Sequence, residues 1–164
     1  MPTTIMRLLI LAVLTASPGV NAQGVRVVKT IGLALANEAA SAAIAECAGQ
    51  GHAISAAVVD PAGHIKALQR ADGASPHTLD SSRRKAYTAV ALRLDTSAAL
   101  GIARKNPEAV HLGDIDGFLL LGGGVPIRAS GEVIGAIGVG GAPGDHLDEG
   151  CAAAGIAAIQ GRLK

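Results

Sequence analysis

His77 is the side chain placed most suggestively for chemistry. Ser75-Pro76 supplies an N-cap serine followed by a proline at the first helical position, so His77 falls in the first turn of a predicted helix. Arg83 and Arg84 follow about one and a half turns later, with Tyr87 beyond them. An imidazole can ligate a metal, guanidiniums can hold carboxylates in a fork, and a phenol can also ligate iron. The competing reading is structural. His77 is then a solvated residue at a helix start, and the arginines form an exposed face with Asp80 placed four residues before Arg84 as its ion-pair partner.

The other reactive residues form no recognisable constellation. His52 and His64 flank a predicted strand, and His111 and His146 fall in a loop and at a helix start; no two of the five histidines stand at i, i+4 on one helix. A dedicated protein metal site is therefore not expected. Ser55, Ser81, Ser82 and Ser130 lack the GxSxG elbow of a hydrolase. Asp114 and Asp116 sit in a loop, and Asp60 has a sufficient role in the turn Asp60-Pro61-Ala62-Gly63. Gly138 to Gly144 opens a helix but places Pro143 where a dinucleotide fingerprint needs its third glycine, so tight backbone packing is the better reading. Arg70 and Arg128 are candidates to hold a small organic anion. No catalytic residue can be named.

These residues need a scaffold, and Gly117 to Ile159 organises it. Phe118 to Leu121 reads as a buried strand that Val125 to Arg128 continues past Gly122-Gly123-Gly124, and Ser130-Gly131 turns the chain into a second strand, Val133 to Val139. Strict alternation would put Val133, Gly135, Ile137 and Val139 on one side and Ile134, Ala136, Gly138 and Gly140 on the other. The second side is nearly bare, so another layer must approach its backbone closely. The alanine-rich helix beginning at Asp145 is the expected partner. Upstream, a helix is predicted over Thr30 to Ala48, a hairpin over Ala53 to Val59 and His64 to Gln69, a helix from Ser75 to about Leu94, and a shorter one from Thr96 or Ser97 to Asn106-Pro107. Hairpins separated by helices, without βαβ alternation, imply an antiparallel sheet in an α+β sandwich.

Residues 1–22 have the parts of a secretory signal peptide: Arg7, the apolar run Leu8 to Leu14, and the small-residue ending Val20-Asn21-Ala22. A periplasmic or secreted protein of one domain, residues 23–164, follows, without a membrane anchor. Cys47 and Cys151, the two cysteines of the chain, would meet an oxidising compartment; whether they pair stays open, free buried cysteines being the commoner outcome on alanine-rich helix faces. A formal net charge of +1 over 164 residues, and a basic cluster without aromatic interleaving, exclude nucleic acid as the expected partner.

Six segments, in order, carry a family resemblance: Ala56-Ala57-Val58-Val59-Asp60 with Gly63; Arg70-Ala71-Asp72-Gly73-Ala74; Lys85-Ala86-Tyr87-Thr88-Ala89; Gly122-Gly123-Gly124-Val125-Pro126-Ile127; Gly135-Ala136-Ile137-Gly138-Val139; and Asp148 with Cys151-Ala152 and Ala154-Gly155. Together they resemble the haem-binding and haem-degrading proteins related to the extracellular haem-binding sensor partner of actinobacteria and to the glycolate-utilisation accessory protein. The resemblance implies a profilin-like or roadblock-like sandwich with about five antiparallel strands flanked by helices, assembled into dimers or larger oligomers. It implies haem binding for some members and iron release from haem for at least one branch. His77 is then the candidate axial ligand, with Arg83 and Arg84 for the propionates and Tyr87 beside them. With only Tyr87 and Phe118 as aromatics, a shallow or intersubunit haem site is expected over a deep one. Two further readings accompany it: a non-catalytic accessory or sensor partner for another exported protein, and a binder of a small organic acid such as glycolate.

Overall fold

The computed structural model describes residues 24–164, and the expected secretory signal at 1–22 lies outside the described residues. The elements run α1 (Leu33–Gly49), β1 (Ser55–Val59), β2 (Ile65–Arg70), α2 (Thr78–Leu92), α3 (Thr96–Lys105), a 3-10 segment (Pro107–Asp114), β3 (Gly124–Ala129), β4 (Glu132–Gly140), α4 (Asp145–Ile159) and a last 3-10 turn (Gln160–Arg162). Four strands in the order β2-β1-β4-β3, each pairing antiparallel, form the sheet. Helices α1 and α4 cover one face together, and α2 covers the other, so the α+β sandwich expected from the element order is present.

The strand count falls one short of about five, and the reason is local. Phe118 to Leu121 is not extended into the sheet, because side chains of α2 and α3 take its backbone groups. Arg84 donates to the Phe118 carbonyl, the Leu119 N–H donates to Thr88 Oγ1 at 2.8 Å, and Thr96 Oγ1 donates to the Leu121 carbonyl at 2.7 Å. A segment whose polar groups are met this way has no need of a ladder. An apolar run alone does not reveal that.

The bare side of β4 is indeed closely covered, but by α2 and not by α4. A Cβ on Gly138 would lie 2.1 Å from the Ser82 carbonyl oxygen and 2.4 Å from the Ala86 nitrogen. One on Gly140 would lie 2.5 Å from Ser81 Oγ. Helix α4 instead packs on α1, where Gly155 leaves room for the Ala39 carbonyl, and both helices bury Ile127, Ile137 and Val139. The strict alternation along β4 also breaks. The pairing with β3 shifts between Ile127 and Arg128, where Ile127 faces Gly135 and Arg128 faces Val133. The extra residue, Ile134, joins the α1/α4 core, and Val133 turns to the α2 side.

Two turns fix the hairpins. Asp60 Oδ1 accepts N–H bonds from Ala62 and His64, both at 2.9 Å, with Gly63 at φ 82°, so Asp60 has the turn role expected of it. Ser130 and Gly131 both have positive φ, 49° and 83°, as a two-residue hairpin turn of the primed kind requires. Cys47 and Cys151 form a disulfide that ties α1 to α4 across a sequence separation of 104 residues. Both cysteines are fully buried; the geometry needed for pairing arises only because the two helices cross there, which no sequence pattern announces.

Candidate functional site

Helix α2 begins two residues later than the Ser75-Pro76 signal predicts. Thr78 Oγ1 donates to the Ser75 carbonyl at 2.6 Å, and its buried oxygen meets Ser55 Oγ on β1 at 2.7 Å. This pins the helix start to the sheet and leaves His77 at the N-cap position, exposed and without a side-chain hydrogen bond among the described residues.

The two arginines have different commitments. Asp80 pairs with Arg83 at 2.7 Å, at i, i+3, and not with Arg84 as its spacing suggests. The Asp80 carboxylate is exposed and Arg83 is half-buried, and a pair so open to solvent is weak and exchangeable. Arg84 points the other way and donates to the Phe118 carbonyl. Tyr87 lies between the β1–β2 turn and the Phe118 segment. Its ring leaves no room for a Cβ at Gly63, which would stand 2.6 Å away, or at Gly117, at 3.2 Å. Phe118 meets it edge-on, with centroids 6.0 Å apart. The arginine fork and the ring that sequence grouped with His77 are thus partly built into the fold, while His77 is exposed and Arg83 half-buried.

The residue that sequence reading passed over is Lys85. Although it belongs to the basic run Arg83-Arg84-Lys85, it is buried, and its Nζ donates to Asp148 Oδ2 at 2.7 Å. Asp148, in the first turn of α4, also accepts the Ala142 N–H at 3.0 Å. Burial pushes the Asp148 carboxyl above the usual carboxylate range, against the Lys85 ammonium and the Ala142 N–H that pull it down. Lys85 and Asp148 come from opposite faces of the sheet and meet at its end, where the three-glycine shoulder makes room. A Cβ on Gly123 would lie 2.7 Å from Asp148 Cβ and 3.1 Å from Lys85 Nζ, and one on Gly124 would lie 2.4 Å from the Lys85 carbonyl. The glycines of this shoulder therefore serve close packing around an ion pair. A signal was available: Ser82, Lys85, Ala86, Ala89 and Val90 make one buried stripe at helical spacing.

The remaining histidines are scattered. His64 approaches Asp60 at 3.7 Å and His111 approaches Asp114 at 2.7 Å, both on the surface. Among the described residues no three His, Cys, Asp or Glu side chains gather as a metal site, and no helix is long and apolar enough to cross a membrane.

A family model described as "Haem degrading protein HbpS-like" matches residues 31–157. The chain is 36% identical to Protein GlcG of Escherichia coli K12 over 111 residues, 64% of this chain and 80% of that one. Its fold superposes with a TM-score of 0.79 on a double mutant of Streptomyces reticuli HbpS, at 38% identity, covering 88% of this chain and 98% of the other. A structure described as a PduOC:haem complex shares the fold at 22% identity, with a TM-score of 0.71 over 79% of this chain and 95% of that one.

Proposed function

The chain belongs to the HbpS-like family of haem-degrading proteins, and from that premise we propose that it is an exported protein that binds haem at the exposed start of α2. The family match over residues 31–157 is the observation that carries this reading. His77 supplies the iron ligand, since its imidazole is exposed and free of hydrogen-bonded partners among the described residues. Arg83 exchanges its exposed Asp80 partner for a propionate, at small cost because a solvent-exposed pair contributes roughly 0–1 kcal/mol. Arg84 and Tyr87 act from behind: Arg84 holds the Phe118 segment, and Tyr87 fills the space under the β1–β2 turn.

Among the described residues one chain offers a ligand and an anion partner here without a flat apolar slot beside them, so the second wall of the site is another copy of the protein. Exposed Val110 and Ile115, in and just after the 3-10 segment that leads to Phe118, support such association. The buried Cys47–Cys151 bond supports an oxidising compartment and hence export. Haem, when bound, supplies the redox chemistry for ring opening or iron release; the protein's part is to hold the iron and orient the carboxylates.

Hemin titrated into the purified protein gives a shifted Soret band whose amplitude falls in His77→Ala and, less, in Arg83→Ala. Size-exclusion chromatography read at the Soret wavelength finds the chromophore on an oligomer. An unchanged hemin spectrum at micromolar protein overturns the reading.

A further inference from the structure

A second site lies at the other end of α2, about 24 Å from His77 along the helix at 1.5 Å per residue. A cleft of about 360 Å3 is lined by Arg26 and Lys29 of the extended N-terminal segment, Arg93 after α2, Arg128 on β3, and Glu132 and Val133 on β4, so four cations face one carboxylate. Lys29 and Glu132 pair with each other at 3.3 Å. Arg26 and Arg93 have no ion-pair partner among the described residues.

Two departures from regular backbone bring the arginines here. Arg93 ends α2 in the left-handed conformation, φ 56°, a position where glycine is the usual residue because a Cβ is strained there. Arg128 stands at the register shift of the β3–β4 pairing, and such irregularities re-aim side chains. Arg128 Nη2 donates to the Arg93 carbonyl at 2.8 Å, which holds the guanidinium in place while its other N–H groups remain as donors. Asp95, close enough to Arg128 to feel its charge, offsets part of this field, but it does not line the cleft. Cations gathered this way repel one another until an anion enters, and planar guanidiniums fit oxyanions in a two-pronged contact.

We propose that this cleft binds a small oxyanion carrying at least two negative charges, a di- or tricarboxylate or a phosphate ester. A mainly charged lining suits such a ligand and does not suit a porphyrin ring, so the site is separate from the one at His77.

Calorimetric titration of the purified protein at low salt, with citrate, pyrophosphate and acetate as probes, tests this. Citrate or pyrophosphate binds and acetate does not; which of the two binds more tightly identifies the carboxylate or the phosphate class. Arg93→Gly is the decisive variant, because glycine accepts the left-handed backbone and the fold is kept or stabilised. It weakens polyanion binding at least about tenfold, a loss of about 1.4 kcal/mol, with no fall in melting temperature, and Arg128→Ala weakens binding as much. His77→Ala leaves citrate and pyrophosphate binding unchanged, so failure here and failure of haem binding are separable. No heat with either polyanion at millimolar concentration, or an Arg93→Gly protein that binds as tightly as its parent, overturns the proposal.

Discussion

On the α1/α4 face of the sheet, Ile127, Ile137 and Val139 meet alanines and a disulfide; on the α2 face, Ala136, Gly138 and Gly140 meet a helix whose buried residues include Thr78, Ser82, Lys85 and Thr88. The first face is closed by apolar burial and a covalent tie. The second is closed by backbone approach and by polar groups that must each find a partner. Thr78 meets Ser55, Thr88 meets the Leu119 N–H, Thr96 serves both the Leu121 carbonyl and the Gly124 N–H, and Lys85 meets Asp148. An apolar face tolerates small volume changes, whereas an unsatisfied polar group in the interior costs its full desolvation. The α2 side is therefore the more exacting one, and it presents the exposed His77 at its rim.

The largest effect should come from breaking the polar side. Asp148→Asn leaves the Lys85 ammonium buried without its counter-charge and costs about 4 kcal/mol in urea unfolding. The paired replacement Lys85→Met with Asp148→Leu should recover most of that loss, because an ion pair exchanged for packed apolar groups is often near neutral. If the single and double variants lose the same amount, the pair is not what closes this face.

On the opposite face, Cys47→Ala with Cys151→Ala removes a cross-link over a long loop and should cost about 3 kcal/mol, read as a lower urea midpoint under non-reducing conditions. Addition of a thiol reductant should then weaken the parent but not this variant. Gly138→Ala comes next, at about 2 kcal/mol or more, since its new methyl meets the backbone of α2 rather than a side chain that could move aside. The same change at Gly131, where φ is 83° but nothing lies within 4 Å, should cost only about 1 kcal/mol.

The smallest effect concerns pH. Burial raises the Asp95 carboxyl pKa, the Glu149 carboxylate pushes it the same way, and Arg128 draws it down by less. The folded state then holds that proton more tightly than the unfolded chain. This contribution to stability is fully present below the ordinary carboxylate range and is lost as pH rises through the raised value. Thermal melts of Asp95→Asn against the parent should converge toward low pH, with the variant gaining on the parent as pH rises through that window.

Much of the scaffold was legible because its signals are local. The Asp60 turn, the Ser130-Gly131 turn and the start of α3 at Thr96 all follow from residue type and spacing. The family resemblance read in the ordered segments agrees with the match over residues 31–157. What escaped depends on contacts between distant segments. Phe118 to Leu121 looks like a strand until Arg84, Thr88 and Thr96 are seen to take its backbone groups. The bare strand face demanded a close neighbour, but both α2 and α4 are small-residue helices, and choosing between them needs the topology. Lys85 looks solvated beside two arginines until the stripe it shares with Ala86, Ala89 and Val90 is followed. Of the residues proposed to hold haem, His77 is exposed and Arg83 half-buried, while Arg84 and Tyr87 are turned to structural contacts, a division that residue type and spacing do not announce.

The most direct test of the account is amide hydrogen exchange of the protein with and without hemin, resolved by segment. The account predicts that hemin slows exchange over residues 75–88 and in the Phe118 segment that Arg84 holds, while α1 and α4 keep their rates. Protection confined to α1 and α4, or no change in the first turns of α2, would contradict it.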